Sequence, residues 1–165
     1  MARYYSGNYT PTNKEKYIGD VKKITFRSFW EYRTMKWLDL NEDIEKWASE
    51  EIIVQYFFEG DNKWHRYFPD FYVKYKTGEE KLVEIKPAAQ EKIPKKSSKK
   101  HRKTRINETL TYVKNQNKWK AAEEYAKKRN WRFVVWTEKE LFALKILHKG
   151  LKPLKKIKVK RKKIL

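Results

Sequence analysis

Between residues 51 and 87 the chain changes character at two polar turns, and this rhythm restricts its fold more than any other feature. Residues 51–58 are rich in Ile, Val, Tyr and Phe, types that suit a pleated, half-buried strand. The turn Glu59-Gly60-Asp61-Asn62 follows. Residues 64–74 form a second β-type run and residues 81–86 a third, joined through Tyr75-Lys76-Thr77-Gly78-Glu79-Glu80, a hairpin connection with one glycine. Pro87, which has no N–H to offer a ladder, stops the third strand.

The flanks set this meander in a mixed architecture. Residues 25–41 read as a helix: Ser28-Phe29-Trp30-Glu31 has the capping-box spacing, and Trp30, Trp37 and Leu38 make an apolar stripe. Residues 41–50 read as a polar connection with a short turn near 44–47. After Pro87 a helix is expected in two pieces, 106–113 and 118–129, with Asn117 capping the second and Asn130 ending it. Residues 131–136 give a fourth strand. Thr137-Glu138-Lys139-Glu140 is another capping-box spacing and opens a last helix to about residue 148, with Gly150 after it. A meander followed by a helical crossover into another strand predicts a mixed β-sheet flanked by helices, an α/β (α+β) sandwich.

Charge narrows the partner. Residues 1–90 carry 15 Lys and Arg against 15 Asp and Glu, and residues 91–165 carry 26 against 6, so the whole net charge of +20 lies downstream. Lys92, Lys95, Lys96, Lys99, Lys100, Arg102, Lys103 and Arg105 crowd residues 91–105, predicting a self-repelling loop that an anion would order. Another eight cations fill residues 151–165. A one-sided charge of this size points to a polyanion, nucleic acid above all. An anionic membrane fits less well, because the basic stretches lack a clean amphipathic face. No run of 18 apolar residues is present, so no membrane-spanning helix is expected. With no cysteine, disulfides and thiolate metal sites are excluded.

The hairpin also carries candidate chemistry. With a three-residue loop of Thr77-Gly78-Glu79, residue 72 faces 84 and residue 70 faces 86. Asp70, Glu84 and Lys86 then share one face, with Asp70 diagonal to Glu84. Phe71, Val73, Val83 and Ile85 share the other, which becomes core. A two-residue loop would move Asp70 to the wrong face. Two carboxylates on rigid neighbouring strands suit Mg²⁺, a hard cation that takes one or two carboxylates plus water and phosphate. A lysine beside them can stabilise charge developing on a phosphate. The plain alternative is a solvated strand face whose charges protect an edge.

Pro69-Asp70 followed by Glu84-Ile85-Lys86 resembles the signature of the PD-(D/E)xK nuclease superfamily. Glu31 on the first helix, Gln55, the run His65-Arg66-Tyr67-Phe68-Pro69-Asp70-Phe71 and Val83-Glu84-Ile85-Lys86-Pro87 resemble the TnsA N-terminal endonuclease domain. Closer still is the resemblance to the head completion nucleases of T-even-type tailed phages, from Ala2-Arg3-Tyr4-Tyr5 through Trp131-Arg132-Phe133 to Thr137-Glu138. The resemblance implies a restriction-endonuclease-like core, with an arm at 1–23, a nuclease domain at 24–148 that includes the basic loop 91–105, and a basic tail at 149–165. It implies Asp70, Glu84 and the backbone carbonyl of Ile85 as metal ligands, Lys86 as catalytic lysine, and Glu31 as the helix carboxylate completing the site. TnsA has Gln where this chain has Glu84. Glu31 has a competing duty, since it is the third residue after Ser28, where a capping-box Glu returns to the cap.

Mg²⁺ is the implied cofactor, with Mn²⁺ as a substitute. The implied substrate is DNA, cut endonucleolytically, and also exonucleolytically, with little sequence preference, since no base-reading motif is visible. The implied setting is phage head completion after packaging, in the host cytoplasm or the virion, beside portal, neck or tail-joining proteins. His65, Arg66, Lys95, Lys96, Lys99, Lys100, Arg102, Lys103 and Arg105 are candidate phosphate contacts, and Gln55 a candidate supporting residue. A structural DNA-binding assembly protein that retains the fold, a transposase-type endonuclease subunit, and RNA in place of DNA are the competing expectations.

Overall fold

The computed structural model describes residues 5–95 and 100–151; Lys96, Lys99 and residues 152–165 of the tail lie outside them. Strands β1 (Gly7–Asn8) and β2 (Thr25–Phe26) form a small antiparallel pair. The expected helix is therefore shorter than residues 25–41: α1 spans Phe29–Leu40, after Ser28, whose hydroxyl accepts from the Glu31 amide at 3.1 Å. Its buried residues Thr34, Met35, Leu38 and Asp39 recur at helical spacing and face the core.

The expected polar connection at 41–50 is instead a strand, β3 (Ile44–Ser49), and its Trp47 is wholly buried. A bulge at Glu45 explains why it was invisible. One extra residue shifts the pairing between Ile44 and Lys46, so polar and apolar positions do not alternate with period two. Replacing Trp47 with Ala would remove about 3–5 kcal/mol of packing.

The expected long strand 64–74 is two. β4 (Val54–Phe58) and β5 (Lys63–Tyr67) make a separate antiparallel ribbon; β6 (Phe71–Tyr75) belongs to the main sheet. The break falls at Phe68-Pro69-Asp70, where proline cannot donate to a ladder. β6 pairs with β7 (Glu80–Ile85), and their loop is Lys76-Thr77-Gly78, one residue earlier than expected. Gly78 has φ +88°, the left-handed conformation that a three-residue hairpin requires near its end. Moving the loop by one residue moves the pairing by two, so Phe71 opposes Val83 and every side chain keeps its predicted face.

From β7 the chain crosses through α2 (Arg102–Lys127) into β8 (Arg132–Trp136), which lies parallel to β7. The sheet order is β3-β6-β7-β8, so the sheet is mixed, as the fold class requires. α2 is a single helix of 26 residues, about 39 Å long. Asn117 lies inside it rather than capping a second piece, and residues 102–105 are helix rather than loop. The last helix, α3 (Glu138–Ala143), has the Thr137–Glu140 capping box and stops short of residue 148.

Two apolar clusters hold the layers together. On one face of the sheet Phe71, Val73, Val83 and Ile85 pack with Met35 and Leu38 of α1 and with Leu141 of α3. On the other, Tyr72 and Leu82 pack with Ala122 and Ala126 of α2 and with Val54, Tyr56 and Tyr67 of the ribbon. β7 is covered on both sides, so Leu82 to Ile85 are all buried, Glu84 included. Among the described residues no helix is long and apolar enough to cross a membrane.

Candidate active site

The ends of β6 and β7 bring the two predicted carboxylates together. Asp70 immediately precedes β6, where Pro69 has just turned the chain into the sheet. Its Oδ2 accepts from the Ile85 amide at 2.7 Å. Glu84 is only 3% exposed, and both of its oxygens are engaged. Oε2 accepts from the Tyr67 hydroxyl at 2.6 Å, and Oε1 meets Lys86 Nζ at 3.1 Å. Asp70 and Glu84 are near-opposite rather than diagonal, because the register moved by two residues.

Electrostatics single out the same group. Burial, and next the Glu84 charge, push the Asp70 carboxyl well above the ordinary carboxylate range, against the opposing pull of the Ile85 amide. Burial alone would lower Lys86, yet the charges of Glu84 and Asp70 outweigh it and raise its pKa. Tyr67 is pushed upward by burial and by Glu84, so its hydroxyl stays a donor. Two like charges in a poorly solvated place call for a cation, and the donors are oxygen. The chemistry of this donor set fits a hard divalent ion.

The other predicted residues divide. Glu31 caps: its Oε2 accepts from the Arg27 amide at 2.7 Å and its Oε1 from the Ser28 hydroxyl at 3.0 Å. Its charge reaches Asp70 and Lys86, though as the smallest influence on each. Among the described residues no three His, Asp or Glu side chains are grouped as a metal cage. Ile85 contributes its amide to Asp70, and its side chain is core. His65 faces α2 with Tyr67 and binds Asp61 at 2.8 Å, which ties it to its own turn. Arg66 and Gln55 form an exposed cross-strand pair on the opposite face of the ribbon. Lys95 is exposed in the loop, Lys100 pairs with Glu108 at 2.7 Å, and Arg102, Lys103 and Arg105 are exposed on the first turn of α2. Lys96 and Lys99 lie outside the described residues.

The family model of the TnsA-like endonuclease N-terminal domain matches residues 41–138, a stretch that contains Asp70, Glu84 and Lys86. The chain belongs to the TnsA-like endonuclease family. As a member, it is also 42% identical over 145 residues to the head completion nuclease of Enterobacteria phage T4, across 85% of this chain and 95% of that protein. No solved structure matches this family member.

Two residues at the site were not singled out from sequence. Tyr67 sits on the ribbon, and only the docking of ribbon to sheet brings its hydroxyl to Glu84. Lys118 on α2 lies with its ammonium 5.3 Å from the Tyr67 ring centre, and no local pattern marks it.

Proposed function

We propose that this chain is a Mg²⁺-dependent endonuclease that hydrolyses DNA phosphodiester bonds with little sequence preference, Mn²⁺ serving in place of Mg²⁺. The observation that carries this is the pairing of half-buried Asp70 with buried Glu84, delivered by neighbouring strands, with a lysine 3.1 Å from Glu84. Asp70 and Glu84, with the Ile85 carbonyl, would hold the cation, which supplies Lewis-acid charge at the scissile phosphate. The chain's own residues do the positioning. The Ile85 amide fixes one oxygen of Asp70, and Tyr67 fixes Glu84 from the ribbon. Lys86 stands with its ammonium 3.1 Å from Glu84 Oε1, beside the proposed cation. It acts as a donor to phosphate oxygen or to the attacking water, stabilising charge as it develops. Glu31 supports the site through the helix start and through its charge.

The exposed cations at Lys95, Lys100, Arg102, Lys103 and Arg105, with Lys96 and Lys99, supply backbone affinity that carries no sequence information. The name of the phage relative, head completion nuclease, supports a role in head completion; on that reading the chain would act in the infected host cytoplasm beside portal, neck or tail-joining proteins. The test is cleavage of supercoiled plasmid by wild type, Asp70→Ala and Glu84→Ala, with and without EDTA. Cleavage that vanishes in both variants and with chelation supports the site. Variants that cut as fast as wild type sink it. A second reading, a DNA-binding assembly protein, is favoured by the 26-to-6 charge excess after residue 90. It predicts a wild type that binds DNA and cuts nothing.

A further inference from the structure

Lys118 is left over once that chemistry is assigned. It stands one turn before Ala122 and two before Ala126, the residues through which α2 packs on the sheet. The packed face of the helix therefore carries it toward Glu84. Its ammonium lies 5.3 Å from the Tyr67 ring centre and 6.0 Å from that of Tyr56, and Tyr67 is the residue that holds Glu84. The charges of Glu84 and Asp70 reach it, as do those of Lys86 and Lys114. Both Glu84 oxygens are already taken, by Tyr67 and Lys86. Among the described residues Lys118 has no hydrogen bond or ion pair, and burial lowers its pKa.

A half-buried ammonium whose three donors meet no acceptor among the described residues is placed to take an anion. Lys114, one turn earlier, lies 5.5 Å from the Phe58 ring centre and continues the same edge. Beyond it α2 runs out into solvent, where residues 102–107 are all exposed and carry Arg102, Lys103 and Arg105. The cations thus lead from open solvent to the carboxylates along one helix.

We propose that Lys118, with Lys114 behind it, forms a phosphate subsite on α2 that seats a DNA backbone phosphate beside the bond to be cut, from the helix layer, while Lys86 approaches from the strand. The subsite rests on the nuclease function proposed above.

The test measures duplex binding in EDTA over a range of KCl, and cleavage with Mg²⁺, for wild type, Lys118→Gln and Lys118→Arg. Asp70→Ala is the reference. Each phosphate contact contributes about 0.9 to the slope of log affinity against log salt. Lys118→Gln should lower the slope by about one, and cleavage should slow by roughly ten- to a hundredfold. Lys118→Arg should restore the slope. An unchanged slope in Lys118→Gln overturns the subsite, even where melting temperature or metal affinity changes, because a lysine that only neutralises Glu84 would act there. Where Lys118→Gln does not fold, Lys114→Gln is read in the same way. A wild type that cuts DNA with neither Mg²⁺ nor Mn²⁺ overturns the nuclease function, and the salt slope still decides the lysine.

Discussion

Asp39 and Asp70 are both aspartates withdrawn from solvent, the first wholly and the second in part, and their surroundings differ in kind. Asp39 is 0% exposed in the last turn of α1, where the helix dipole disfavours a negative charge. Three donors offset that cost: the Tyr9 hydroxyl at 3.0 Å and the Thr12 amide at 2.7 Å on one oxygen, and the Asn13 amide at 2.9 Å on the other. The carboxylate is the staple that fastens the segment before β2 onto α1. Asp70 has a single amide and a second carboxylate for a neighbour. A satisfied carboxylate fixes a chain; one left short of donors and pressed against its like is ready for a cation. Burial alone does not distinguish structure from site, whereas the count and charge of partners does.

That contrast can be broken experimentally. The largest effect should come from Asp70→Ala and Glu84→Ala, which should each cut plasmid cleavage by about a thousandfold or more while circular dichroism shows the native fold. A loss under tenfold would mean that the pair is not the site. Asp39→Ala should do the reverse. Stranding three donors should cost about 2–3 kcal/mol in urea unfolding, with the cleavage rate per folded molecule unchanged. An unaltered unfolding midpoint would remove Asp39 from its structural role.

The pH dependence sharpens the same difference. The Asp70 pKa is raised above its ordinary 3.8, so the folded state holds the proton more tightly than the unfolded one. Its contribution to stability is fully present below that ordinary value and is lost as pH rises through the raised one. Metal-free wild type should therefore lose stability relative to Asp70→Asn as pH rises through this window, and Mg²⁺ should raise the melting temperature more at pH 8 than at pH 5. Parallel melting curves for the two proteins would contradict the raised pKa. The smallest effects should come from two tyrosines. Tyr9→Phe and Tyr67→Phe each lose one hydroxyl bond to a carboxylate, worth about 1–2 kcal/mol in thermal unfolding. Tyr67→Phe alone should also slow cleavage, by about three- to tenfold. Equal cleavage by the two variants would erase the distinction between fastening and function.

Much of this was written locally in the chain. The β6–β7 hairpin announced itself by Gly78 between an aromatic-rich run and one rich in Leu, Val and Ile. A three-residue loop put Asp70, Glu84 and Lys86 on one face, and the later shift in pairing left those faces unchanged because it was even. The Thr137–Glu140 cap was legible because a capping box is complete within four residues. β3 was hidden because the bulge at Glu45 cancels the alternation by which strands are recognised. The split at Pro69 was missed although proline argues against an unbroken strand. Asn115, Gln116 and Asn117 made α2 look interrupted, where packing against the sheet and ribbon keeps it whole.

The sequence by itself determined which residue types meet on the hairpin and where the cations lie, because strand alternation and composition act over a few neighbours. Only the tertiary structure decided that Tyr67 reaches Glu84 across the ribbon, and that Lys118 stands unpaired among the described residues near both carboxylates. Those relations join residues 17 and 34 positions apart through layers whose packing no local pattern encodes.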